Sequence, residues 1–186
     1  MLAIISPSKT QDFSECNIEK FSQTRQQESS NELVSILKNQ SQSQISKLMS
    51  ISEKLSALNF ERFQKFKIPF TLENAKQAIL AFKGDVYNGI DAPSLSTEDL
   101  NFAQDKVRML SGLYGVIRPL DLIQPYRLEM GTKLSNAKGK DLYDYWGSDI
   151  SHILNDDENE LIVNLASNEY FKACLLYTSP SPRDVE

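Results

Sequence analysis

Histidine is nearly missing from this chain: there is one, His152, in 186 residues. Cysteine is almost as scarce, with only Cys16 and Cys174. One imidazole and two distant thiols make neither a zinc site, nor a paired di-iron motif, nor a disulfide framework. No metal and no cofactor is therefore expected, and the reducing cytoplasm is the default location. Long apolar runs are also lacking; no stretch of about 18 residues would span a membrane. The opening MLAIISPSKT has no basic segment and reads as a buried strand, not a secretory leader. Basic residues do not prevail either. Lys and Arg number 20 against 25 Asp and Glu, a net charge of -5. That excludes a surface coated in positive charge for nucleic acid, so any anion binding must be local.

What is there is an ordinary globular mixture, 40% apolar and 24% charged, enough for one substantial core. Short strands and amphipathic helices share the chain, so the expected class is mixed α/β (α+β), one compact domain. Residues 11–30 are polar and read as a surface loop. NELVSILKN (31–39) places Leu33, Ile36 and Leu37 on one helical face. Two more helices follow, with a break near Ser50–Ser52. Residues 73–82 read as helix passing into a buried AILAF, and 83–90, with its Asn-Gly step, as a turn. Ser96 caps a helix with Asp99 at its third position. GKDLYDYWGSDISHIL (139–154) reads as one helix and ELIVNLAS (160–167) as a buried strand.

Charge is not spread evenly. Residues 101–140 hold seven bases and three acids, 7 - 3 = +4 within a chain of net -5. Within them lies RMLSGLYGVIRPLDLIQPYRLEMG (108–131). Its LSGLYG has the apolar-x-Gly-apolar-x-Gly form of a helix-hairpin-helix, in which one glycine permits a tight reversal and the next lets backbone approach a phosphate. Ser111, Gly112, Leu113, Tyr114 and Gly115 would supply the hairpin, and Arg108, Arg118 and Arg127 charge-assisted bonds. The competing reading is a plain glycine helix cap and turn, and Pro119 limits a second helix to about one turn unless it restarts there.

A second set of donors follows the first strand. Ser6, Ser8, Lys9 and Thr10, with Lys83 from FKGDVYNGI, suit a phosphate or carboxylate at strand ends. Ser6-Pro7-Ser8-Lys9 has the bare spacing of serine acyl enzymes without their partner motifs. No catalytic residue is assigned, and binding is favoured over turnover. The alternative kept open is an enzyme acting on a small phosphorylated or carboxylated substrate in this pocket. A third possibility is iron held by carboxylates such as Asp85, Asp141 and Asp144.

Residues 174–184, CLLYTSPSPRD, can be encoded codon for codon by a transposon-end adapter. The expectation is a natural domain over 1–173, incomplete at its C-terminal side, and a non-native tail over 174–186.

The blocks ISPSKT, AILAFKGDVYNGI, RMLSGLYGVIRPLDLIQPYRLEMG, GKDLY and IVNLASNEYFK together resemble the bacterial peroxide stress protein YaaA family, from Met1 to about Ala173. The resemblance implies a cytoplasmic protein that limits peroxide damage by lowering reactive iron. It also implies a helix-hairpin-helix element and a positively charged cleft for double-stranded or distorted DNA, gripped without reading sequence. Oligomeric state is not read from these residues.

Overall fold

The computed structural model describes residues 1–158 and 160–174; residues 175–186 of the expected tail lie outside the described residues. The apolar opening run forms β1 (Leu2–Ile5), followed by the two-residue β2 (Thr10–Gln11). After a long loop come α1 (Gln27–Lys38), α2 (Gln42–Met49) and α3 (Glu53–Lys65). Helix α2 starts on a complete capping box, Ser41 with Gln44. The break expected near Ser50–Ser52 is there: Ser50 takes a left-handed conformation and Ser52 caps α3. The next elements are β3 (Lys76–Gln77), α4 (Ala78–Ala81), β4 (Phe82–Lys83) and α5 (Asp85–Ile90). Then follow α6 (Thr97–Lys106), β5 (Val107–Ser111), β6 (Gly115–Ile117) and β7 (Leu122–Ile123). The described chain ends with α7 (Leu142–Trp146), α8 (Asp149–Asp157), β8 (Ile162–Asn164) and α9 (Asn168–Phe171).

The fold is mixed helix and strand in one compact unit, as expected. Its main sheet has the order β6-β5-β1-β8. Strand β1 runs parallel to both β5 and β8, while β6 returns antiparallel to β5. The C-terminal ends of β1, β5 and β8 therefore share one edge, where open parallel sheets bind ligands. The main core lies around this sheet, with Ile4, Met109, Val116, Leu33 and Trp146 fully buried. A smaller cluster of Ile79, Leu80, Ala92, Leu100 and Leu120 sits apart.

Several local expectations give way to tertiary context. Residues 73–77 are not helix: Lys76 and Gln77 are buried, and their side chains bond backbone carbonyls of the 12–20 loop. The expected turn at the Asn88-Gly89 step is helix α5. The helix expected over 139–154 divides at Gly147 into α7 and α8. Strand β8 is at the sheet edge with half-buried Ile162 and Val163, not a buried strand. The Ser96–Asp99 capping box is present with both of its hydrogen bonds.

Glutamine side chains join segments that no ladder joins. Gln77 donates to Ile18 O and Lys20 O, and Gln26 accepts from the Val116 amide at 3.0 Å. Gln104 accepts from the Leu120 amide, Gln11 from the Tyr126 amide, and Gln124 exchanges bonds with both backbone groups of Lys67. Removing Gln77, which is fully buried, strips two carbonyls of their partner. Gln77→Ala is therefore expected to speed limited proteolysis within residues 12–21 by roughly an order of magnitude through local opening, while the rest of the chain still melts cooperatively. Unchanged cleavage would show that the loop is held elsewhere.

Candidate functional site

The loop expected to form a hairpin between helices is a hairpin between strands. Ser111 ends β5 and Gly115 begins β6, with Ser111 paired to Gly115. Ser111, Leu113 and Tyr114 are fully buried. The amides that were to face a phosphate have internal partners: Leu113 and Tyr114 donate to Ser111 Oγ at 3.2 and 3.1 Å. Gly112 O accepts from the Trp146 indole at 3.0 Å. The glycines serve packing. A Cβ on Gly112 would lie 2.5 Å from Leu128 O, and Gly115 has φ +69° against Gln26 and Trp146. The alternation of buried apolar residues with close-packed glycine made this segment sheet, because both faces are covered.

The flanking arginines are also committed internally. Arg108 is 5% exposed and donates to Asp157 at 2.6 Å and to the carbonyls of Gln104 and Val107. Asp157 receives a second, bidentate guanidinium from Arg25, both bonds 2.8 Å. Arg118 closes on the fully buried Asp121 through its backbone amide, Nε and a terminal nitrogen. Lys138 pairs with Asp149. The local excess of +4 is thus at most halved in space, because only Asp149 and Asp157 come from outside the 101–140 window, and Asp157 is shared with Arg25.

Arg127 differs. It donates to Glu129 Oε1 at 3.1 Å, and Lys9 Nζ lies 3.0 Å from Glu129 Oε2. The Arg127 Nε is buried and, among the described residues, without a partner. These groups meet where the strand ends converge. A small cavity of about 20 Å³ lies against Ser8, Lys9, Gln11, Tyr126 and Tyr170 on one side of the Arg127–Glu129 pair. A larger one, about 230 Å³, also borders that pair and is lined by Met49, Ser50, Gly131, Thr132 and Glu169. Glu169 is fixed by accepting from the Gly131 amide at 2.8 Å. Tyr126 exchanges a 2.7 Å bond with Ser111. Burial raises the phenols of Tyr126 and Tyr170 well above their ordinary values, so both stay neutral donors.

The Ser6–Thr10 set converges only in part. Ser6 Oγ accepts from the Ser167 amide, and Ser6 O from Tyr87. Ser8 Oγ accepts from the Thr10 amide, forming the turn into β2. Lys83 turns to Asp12, 3.8 Å away, and does not join Lys9. Of the expected anion-binding residues, Ser8 and Lys9 reach the cavity beside Arg127. Sequence reading missed Glu129, Glu169 and Tyr170 there. Spacing carried no signal for them, since residues 8–9, 126–132 and 169–170 are far apart in the chain and meet only in the folded structure.

A family model described as "Peroxide stress protein YaaA" matches residues 1–180. The chain belongs to the peroxide stress protein YaaA family. Family membership fits a role in peroxide stress. Among the described residues no helix is long and apolar enough to cross a membrane. Nor do they contain a group of three or more His, Cys, Asp or Glu that could hold a metal ion. Asp141 and Asp144, considered for iron, instead accept backbone amides at the start of α7. Cys174, first residue of the expected tail, is buried, and burial pushes its thiol up to about 12, which leaves it unreactive as a nucleophile.

Proposed function

We propose that this chain is a cytoplasmic peroxide-stress protein that limits oxidative damage by lowering reactive iron, and that it grips the backbone of double-stranded or distorted DNA without reading its sequence. The observation that carries the DNA reading is the α2–α3 pair. Two helices are joined by a three-residue reversal, Ser50 to Ser52. Ser50, at φ 52°, adopts the positive φ that a tight reversal between helices needs. Ser50, Ser52, Lys47 and Lys54 are exposed. Residues 42–67 carry five bases and two acids, 5 - 2 = +3. Of the first-turn amides of α3, that of Leu55 is capped by Ser52 Oγ; those of Glu53 and Lys54 are of the kind a helix start offers to an anion. In this reading the helical hairpin moves from 110–115 to 42–65.

Salt-dependent titration with duplex DNA between about 50 and 200 mM tests it. Replacing Lys47 and Lys54 together by Ala is expected to flatten the slope of log K against log salt by about 1.8 and to weaken all sequences alike. Arg118→Ala is expected to leave the slope unchanged and to lower stability, because Asp121 loses its cation. A wild-type affinity indifferent to salt would sink the DNA reading. Chelatable ferrous iron in peroxide-stressed cells, with and without the gene, tests the iron role; equal levels would refute it.

A further inference from the structure

Among the described residues, Glu129 is the one carboxylate that touches both Lys9 and Arg127, through its two oxygens. The site therefore already holds an oxyanion, its own. The fit is incomplete. A guanidinium presents Nε–H and a terminal N–H as a fork that matches two oxygens of one phosphate. Glu129 meets only the terminal nitrogen of Arg127, and the buried Nε has no partner among the described residues. A buried donor left unbonded is costly, so an oxyanion that fills both prongs gains over Glu129. Charge acts in the same direction, because a terminal phosphate carries about -1.5 to -2 against the single charge of a carboxylate. Glu169 also borders the larger cavity, but one of its oxygens is engaged with the Gly131 amide. The two carboxylates balance the two cations, which disfavours weak monoanions and leaves a dianion as the ligand able to displace Glu129. The larger cavity, about 230 Å³, is below the roughly 300–1,000 Å³ typical of pockets for whole cofactors. It has room for a phosphate and a small substituent beside Arg127; Lys9 lines only the smaller cavity and reaches this one across Glu129, so its ammonium meets the phosphate where the Glu129 carboxylate now lies.

We propose that Lys9 and Arg127 form a binding site for a terminal phosphate, borne by a small phosphomonoester or by a nucleic-acid end, and that Glu129 is the internal competitor such a phosphate displaces. Leu48, Met49 and Ser50 of the α2–α3 reversal also line the larger cavity, so the two sites adjoin, but the phosphate is held by Lys9 and Arg127 and not by Lys47 or Lys54.

Inorganic phosphate is the first probe, titrated into the whole chain and followed by NMR at the Gly131 and Thr132 amides and at the Arg127 Nε–H. Glu129→Gln is expected to tighten phosphate binding about tenfold, since the competitor loses its charge. Lys9→Ala is expected to weaken it by about the same factor; that side chain is 62% exposed, so folding is not at issue. Arg127→Lys keeps the charge, removes the fork, and is expected to weaken binding in the same range. A second arm compares 5′-phosphorylated and 5′-hydroxyl forms of one oligonucleotide as competitors. Preference for the phosphorylated end identifies nucleic acid as the phosphate's source, and equal competition identifies a small molecule. Phosphate that does not saturate the Glu129→Gln chain, or that binds all four proteins equally, overturns the proposal.

Discussion

Asp157→Ala is expected to destabilise the chain by about 3–5 kcal/mol, because it leaves a buried guanidinium without its counter-charge. Arg108 is 5% exposed within the central strand pair, and the carbonyls it still touches cannot neutralise it. Arg25 loses the same partner but lies nearer the surface and relaxes into water. The pH dependence follows with a definite sign. Burial works to raise the Asp157 carboxyl, but the hydrogen bonds and charges of Arg25 and Arg108 outweigh it, so it lies below its ordinary value. A carboxyl lowered in the folded state contributes fully above about pH 4, and its contribution falls away as pH drops through the folded-state value. Denaturant titrations at pH 7 and pH 3 read both effects. The gap between wild type and Asp157→Ala should be widest at pH 7 and narrow at pH 3. A constant gap would mean that the carboxylate acts through packing alone.

Gly112→Ala is the second large effect, expected to cost about 3 kcal/mol and so to lower Tm by roughly 6–12 °C. The added carbon would meet Leu128 O at 2.5 Å and Glu129 C at 3.0 Å. Both are main chain, so no rotamer change relieves the clash, and the 127–131 segment must move. That segment carries Arg127 and Glu129, so phosphate binding should weaken along with stability. Gly89→Ala is the control. It lies in α5 with nothing within 4 Å of its Cβ, and helix propensity predicts a gain of about 0.5–1 kcal/mol. A Gly112→Ala melting curve that overlays wild type would mean that the strand and the 127–131 segment are not in close contact.

The contrast between these two glycines shows what local sequence expresses. Capping is local, and Ser96 with Asp99 was legible to the atom. So were β1 and the Ser50–Ser52 break, since apolar clustering and helix-stop residues act over a few positions. The glycines of LSGLYG escape a local reading because their reason lies outside those six residues, at Leu128 and Gln26. Nothing in LSGLYG distinguishes a glycine needed for a phosphate from one needed for a neighbouring strand. Charge misled in the same way. Arg108 and Arg118 look free along the sequence, yet their partners are Asp157, 49 residues away, and a buried Asp121. Of the candidate site, Lys9 and Arg127 were named in advance but in separate sets. Only tertiary packing, with the 128–129 backbone lying against Gly112 at the end of β5, brings them to one carboxylate.

The glutamine side chains that bond distant backbone impose an order on folding itself. Gln26 reaches across 90 residues, Gln11 across 115, and Gln77 and Gln124 across more than 50 each. None of these bonds can form while either end of its loop is loose, and closing such loops costs entropy before any contact is made. High contact order of this kind makes for a slow, all-or-none search. Isolated halves of the chain should therefore remain unstructured on their own, and acquire structure only when both are present together.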